Sequence, residues 1–153
     1  MIGWCGALSP VAAQEGTLEW RIEHVAGMDP TEVKTFLERL QRHLASNDRP
    51  AVCGMVFYPL RVGGPRTRVT PEGFIQGIGT DVRTPDQCNR QFRAIFTSRV
   101  VKSVLSARFD TLFANYQGVV IAGHFGEGAN VWLSRYCDVP CKRALIKVVT
   151  VNR

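Results

Sequence analysis

The chain has 153 residues, 45% of them hydrophobic and 21% charged, with a formal net charge of +6 at pH 7. That length and apolar content suit one well-buried domain, exclude a globally disordered chain and leave too little for two independent cores. The basic residues are scattered along the chain without a helix-turn-helix, zinc-finger or RNA-binding signature, so the charge reads as solubility and nucleic acid is not an expected partner.

Residues 1–16, MIGWCGALSPVAAQEG, carry no charge before Glu15. Val11-Ala12-Ala13 ahead of Gln14 fits the small-residue pattern of a signal-peptidase site, although the basic leader of such a peptide is missing. The segment is read as signal-like or flexible, and residues 17–153 as a single α+β domain. A functional signal would make the protein periplasmic or secreted; otherwise it is cytoplasmic. No apolar run approaches the roughly 20 residues of a membrane-spanning helix, so no transmembrane segment is expected.

Thr17 to Val25 alternates Leu18, Trp20 and Ile22 with charged residues and predicts a short edge strand or lead-in segment. Asp29-Pro30-Thr31-Glu32 is a helix start, with Asp29 as cap and Pro30 at the first helical position. Val33, Phe36, Leu37, Leu40 and Leu44 then recur at three- and four-residue steps and give that helix one apolar stripe. Asn47 and Asp48 stop it, and Pro50 restarts a short helical turn through Met55. Phe57 to Val62 reads as a strand, with Pro59 pushing it towards a sheet edge or a bulge. Residues 66–81 are glycine-rich and predict an irregular hairpin or flap. Thr84-Pro85-Asp86-Gln87 repeats the cap logic for a helix that buries Cys88, Phe92, Ile95 and Phe96, and Thr97 starts another with Val100, Val101, Val104 and Leu105 on its apolar side. Three strands follow, at residues 115–122, 130–136 and 144–151, with the glycine-rich reversal Gly123–Gly128 between the first two.

Five cysteines are present: Cys5, Cys53, Cys88, Cys137 and Cys141. A tight proline turn between Cys137 and Cys141 can bring their sulfurs into disulfide range if the compartment is oxidising. Cys53 and Cys88 fall on apolar helix faces and are read as buried packing residues. No second close pair of Cys or His residues completes a zinc site, and no metal or other cofactor is expected.

The order of a capped first helix, Tyr58-Pro59-Leu60-Arg61-Val62, a capped helix ending in Ala94-Ile95-Phe96-Thr97, then Asn115-Tyr116-Gln117-Gly118-Val119 and Val131-Trp132-Leu133 resembles the nuclear transport factor 2-like (cystatin-like) superfamily, and within it small uncharacterised bacterial members. The likeness covers about residues 29 to 152. It implies N-terminal helices packed on a curved, mostly antiparallel sheet, a conical pocket between the long helix and that sheet, and homodimers through the open sheet face. Such a cone would want a proton-transfer group with a shifted pKa, for which Tyr58, Asp110, Tyr116 and His124 are the candidates, with Arg61 as an anion anchor. Each has a plainer reading: Tyr58 and Tyr116 as amphipathic core residues, Arg61 as a solvated strand residue, Asp110 as a turn residue and His124 as part of a hairpin loop. The resulting expectation is a small-ligand-binding protein or one with a structural or interaction role. The alternative is a small cofactor-free lyase, isomerase or hydrolase working through an acid/base group in the cone.

Overall fold

The computed structural model describes residues 15–63, 67–69, 75–77, 80–122, 128–137 and 144–153. Residues 1–14 of the signal-like segment, the loop carrying His124, and Cys141 lie outside the described residues, and Cys5 falls within the first of these. Helices α1 (Leu18–His24), α2 (Pro30–Ala45) and α3 (Arg49–Gly54) precede strand β1 (Val56–Gly63). Short strands β2 (Thr67–Val69), β3 (Ile75–Gly77) and β4 (Thr80–Val82) lead to helices α4 (Pro85–Arg90), α5 (Phe92–Ile95) and α6 (Ser98–Ser106). A single 3-10 turn at Phe109–Thr111 then opens onto β5 (Phe113–Asn115), β6 (Gly118–Ile121), β7 (Asn130–Cys137) and β8 (Ala144–Asn152).

The helix starts follow from their caps. Asp29 accepts from the Glu32 amide at 2.9 Å, Thr84 from Gln87 at 3.1 Å and Thr97 from Val100 at 3.3 Å, each satisfying a donor that the helix leaves open. Gln87 also reaches back, accepting from the Arg83 amide at 2.8 Å. The segment expected as an edge strand is helix α1 instead. Thr17 caps it by accepting from the Trp20 amide, and Trp20 and His24 stack one turn apart with centroids 5.0 Å from each other. Leu18 and Ile22 suit either period, being two strand steps or one helical turn apart, and the cap decides between them.

Six strands form one mixed sheet in the order β4-β1-β8-β7-β6-β5, and β2 pairs with β3 as a separate antiparallel hairpin within the expected flap. Every neighbouring pair in the large sheet is antiparallel except β1 with β8, which run parallel. The strand expected at residues 115–122 is divided. Asn115 and Gly118 pair directly, Asn115 Oδ1 accepts from the Gln117 amide at 2.8 Å, and the chain turns through Tyr116 and Gln117 to give β5 and β6. Pro59 falls where the β1–β8 register shifts, between Val56 and Arg61, so it marks a bulge.

The helices cover one face of this sheet. Val33, Leu40 and Ile22 from the first two helices meet Val100, Val104 and Ile95 and the inward strand residues Leu60, Val62, Val119, Ile121, Leu133 and Val148 in one buried cluster. Gln41 ties α2 to the end of α6 by donating to the carbonyls of Val104 and Ala107, both at 2.9 Å. Val120 points to the opposite face from Val119 and Ile121, yet it is only 5% exposed, so that face also carries cover at β6.

Cys53 and Cys88 are joined in a disulfide, with Cα atoms 5.9 Å apart. The reading of these two as separate packing residues is therefore corrected: both are fully buried, but the packing of α3 against α4 brings their sulfurs together. Cys137 is disulfide-bonded as well, to a partner outside the described residues.

Candidate functional site

The four singled-out residues that are described, Tyr58, Arg61, Asp110 and Tyr116, do not converge. Tyr58 and Arg61 sit on β1, while Asp110 and Tyr116 flank β5, four strand positions away and so about 19 Å across the sheet. The Tyr58 hydroxyl donates to the Cys53 carbonyl at 2.9 Å, and burial pushes its pKa up to about 12. A phenol so placed is a poor base or acid near neutrality. Arg61 points outward between the fully buried Leu60 and the buried Val62, in register with Asp81 and Thr150. Asp110 is exposed in the 3-10 turn, where both its carboxylate oxygens accept from the Arg108 guanidinium. Tyr116 is 82% exposed at the tip of the β5–β6 turn, not on a strand face. Its place follows from Gly118, whose φ of +140° makes the turn and whose Cα approaches the Leu133 carbonyl too closely for a side chain.

A different set of side chains forms a cleft. The exposed face of α2 presents Thr31, Glu32, Thr35 and Arg39, three- and four-residue steps that put them on one side of the helix. The first residues of β8, Ala144 to Ile146, run past that face, and the space between has a volume of about 230 Å³. Phe36, 3% exposed, forms part of its wall, and the Arg39 guanidinium lies 5.6 Å from the centre of the Phe36 ring. Leu145 is 41% exposed, a large aliphatic side chain left at the rim.

The sheet opens here for a topological reason. Ala144 to Lys147 pair with β7 on one side, but β1 first meets β8 at Val148 on the other. Lys147 marks the end of the opening by donating to the Gly54 carbonyl at 2.8 Å. Among the described residues no ion pair engages Glu32 or Arg39. The cleft thus combines an apolar wall, a guanidinium and a short strand edge that no described strand pairs. It is smaller than the 300–1,000 Å³ typical of pockets for drug-sized ligands, so it suits a group the size of one or two side chains. Among the described residues, no group of three His, Cys, Asp or Glu side chains is arranged to hold a metal ion.

Sequence reasoning assigned Phe36 to the core stripe of α2 and Arg39 to its solvated side, and both assignments describe their local surroundings. The cleft itself depends on where β8 passes, a contact more than 100 residues away in the chain. Compared with protein-family models, with curated proteins and with solved structures, the chain matches none.

Proposed function

We propose that this protein is a binding domain of the nuclear transport factor 2-like type, acting in an oxidising compartment, and that the α2–β8 cleft takes a small group with an apolar body and an anionic end. The cleft carries the reading: it lies beside the exposed face of the long capped helix and sets the Arg39 guanidinium near Phe36 and Ile146. An aliphatic or aromatic carboxylate would lay its apolar part on Phe36, Leu145 and Ile146 and accept from Arg39. The buried Cys53–Cys88 bond supports the compartment, since such bonds persist where thiols are not kept reduced, and with it a signal function for the N-terminal segment.

Acid/base catalysis finds less support. Tyr58 is displaced from its ordinary range, but its proton is committed to a backbone carbonyl. Homodimerisation through the outer sheet face also loses ground at β6, where Val120 is already covered within the chain.

The test is an amide chemical-shift titration of the isotope-labelled protein with hexanoate and phenylacetate. Shifts at Thr31–Arg39 and Ala144–Ile146 are expected. Arg39→Gln should weaken binding about tenfold or more, the scale of a lost charge-assisted hydrogen bond. Shifts confined to other regions, or equal binding by Arg39→Gln, would overturn the assignment.

A further inference from the structure

The charge of this chain is not evenly placed in space. Residues 15–48 hold seven acidic against four basic residues, whereas residues 83–102 hold five basic residues, Arg83, Arg90, Arg93, Arg99 and Lys102, against Asp86 alone. Part of each population lies near an opposite edge of the sheet. Helix α1, with Glu19 and Glu23, packs on edge strand β5. Helices α3 and α4 are joined by Cys53–Cys88 at the start of β1 and the end of β4, the other edge. Six strands put the two edges five spacings apart, about 24 Å.

Two contacts bring further cations to the helices that carry these basic residues. The Arg49 guanidinium lies 5.7 Å from the centre of the Phe92 ring, and the Arg153 guanidinium donates to the Ala94 carbonyl at 3.2 Å, so two cations from distant parts of the chain flank α5. Arg90 and Arg93 project from α4 and α5 themselves, and Arg99 stands in the first turn of α6. All three are exposed, and no ion pair neutralises them among the described residues. The C-terminal half of α6 adds Lys102 and, one turn further on, Leu105, which is 42% exposed.

We propose that α3 to α6 form a cationic face that docks on an anionic phospholipid bilayer. Five of these six cations are arginines, whose planar guanidinium forks match phosphate oxygens, and they stand on the outer sides of short helices instead of lining a groove that a polyanionic chain would follow. An apolar Leu105 beside Lys102 is a residue that an interface between headgroups and acyl chains accommodates. The buried disulfide that joins α3 to α4 favours an oxidising compartment, where a membrane surface is a more accessible source of phosphate than nucleic acid. The acidic end near α1 would point away from the surface and orient the molecule. This inference is independent of the α2–β8 cleft.

The experiment is co-sedimentation of the full chain with vesicles of phosphatidylcholine alone and of phosphatidylcholine with 30% phosphatidylglycerol, as a composition chosen on the order of natural anionic content. Binding to the anionic vesicles and its loss in high salt are expected. Each arginine neutralised should lower partitioning about fivefold, so Arg90→Gln/Arg93→Gln binds about thirtyfold more weakly. Arg99→Gln/Lys102→Gln provides a second, separately placed pair should the first alter folding by circular dichroism. Equal binding to both vesicle types, or wild-type binding by both double variants, overturns the proposal. So does binding to a duplex oligonucleotide without binding to vesicles, which would make the face a nucleic-acid site.

Discussion

Gly118 closes the β5–β6 turn at a φ of +140°, and a Cβ there would stand 2.0 Å from the Leu133 carbonyl oxygen on the neighbouring strand. Strain and collision act together, and backbone cannot move aside cheaply in the middle of a ladder. Gly118→Ala should therefore cost about 3 kcal/mol or more, read as a fall in the urea midpoint at unchanged slope. Tyr58 makes a prediction in pH. The unfolded chain releases this phenolic proton near pH 10.0, whereas the folded protein holds it to about 12. Deprotonation thus favours the unfolded state between those values, so the contribution of this group is fully present below pH 10, where it adds no pH dependence, and is lost as pH rises from 10 to 12. Tyr58→Phe should remove that part of the alkaline decline and cost about 1 kcal/mol at pH 7 through the lost bond to Cys53. Denaturant titrations of both proteins at pH 7, 10 and 11 check the pair of expectations. At this scale the sequence was most informative where the interaction is local: the caps Asp29, Thr84 and Thr97 lie three residues from their partners. Tyr58 was legible as amphipathic, but its acceptor was not.

Elements were legible where a cap and a period agreed, and misread where one segment fitted two periods. Helix α1 shows what the misreading conceals. Arg21 projects from it to donate to the Ala114 carbonyl at 2.8 Å and lies over the Phe113 ring at 4.8 Å, so the helix closes the open edge of β5. An uncovered edge is a template for another strand. Arg21→Ala should leave that carbonyl without its charged donor, lower stability by about 2 kcal/mol and raise the rate of aggregation, followed by light scattering at a fixed temperature below melting. The cysteines carry the same lesson. Cys53 and Cys88 are 35 residues apart, and no spacing rule connects them, because their meeting depends on α3 packing against α4. Closing a loop of that length stabilises by about 4 kcal/mol in the chain-entropy model. The double variant Cys53→Ala/Cys88→Ala should lose most of this in chemical denaturation, and it isolates this bond from that of Cys137 better than a reductant does.

For the whole molecule, the decisive feature is that the last strand in the sequence is not the last in the sheet. β8 lies between β1 and β7, parallel to one and antiparallel to the other, and so joins the first strand of the chain to the C-terminal meander. The sequence showed strands, apolar runs and an antiparallel hairpin, which are properties of neighbours; it did not show that β8 returns to β1, because a parallel pairing leaves no turn signature. The same return creates the α2–β8 cleft and makes α2 and β8 two walls of one site. It also predicts how the molecule fails. Without β8 the sheet divides into a β4-β1 pair and a β7-β6-β5 meander, each with a bare edge and neither with a complete partner for the helices. A chain ending at Cys137 should show no cooperative melting transition, while a chain ending at Thr150, which keeps the pairings of Val56 with Val148 and of Arg61 with Thr150, should melt cooperatively at a lower temperature. Calorimetry on the two truncations separates the cases. A cooperative transition in the shorter chain would mean that the helices and the remaining strands form a core of their own and that β8 is an addition to the fold, not its centre.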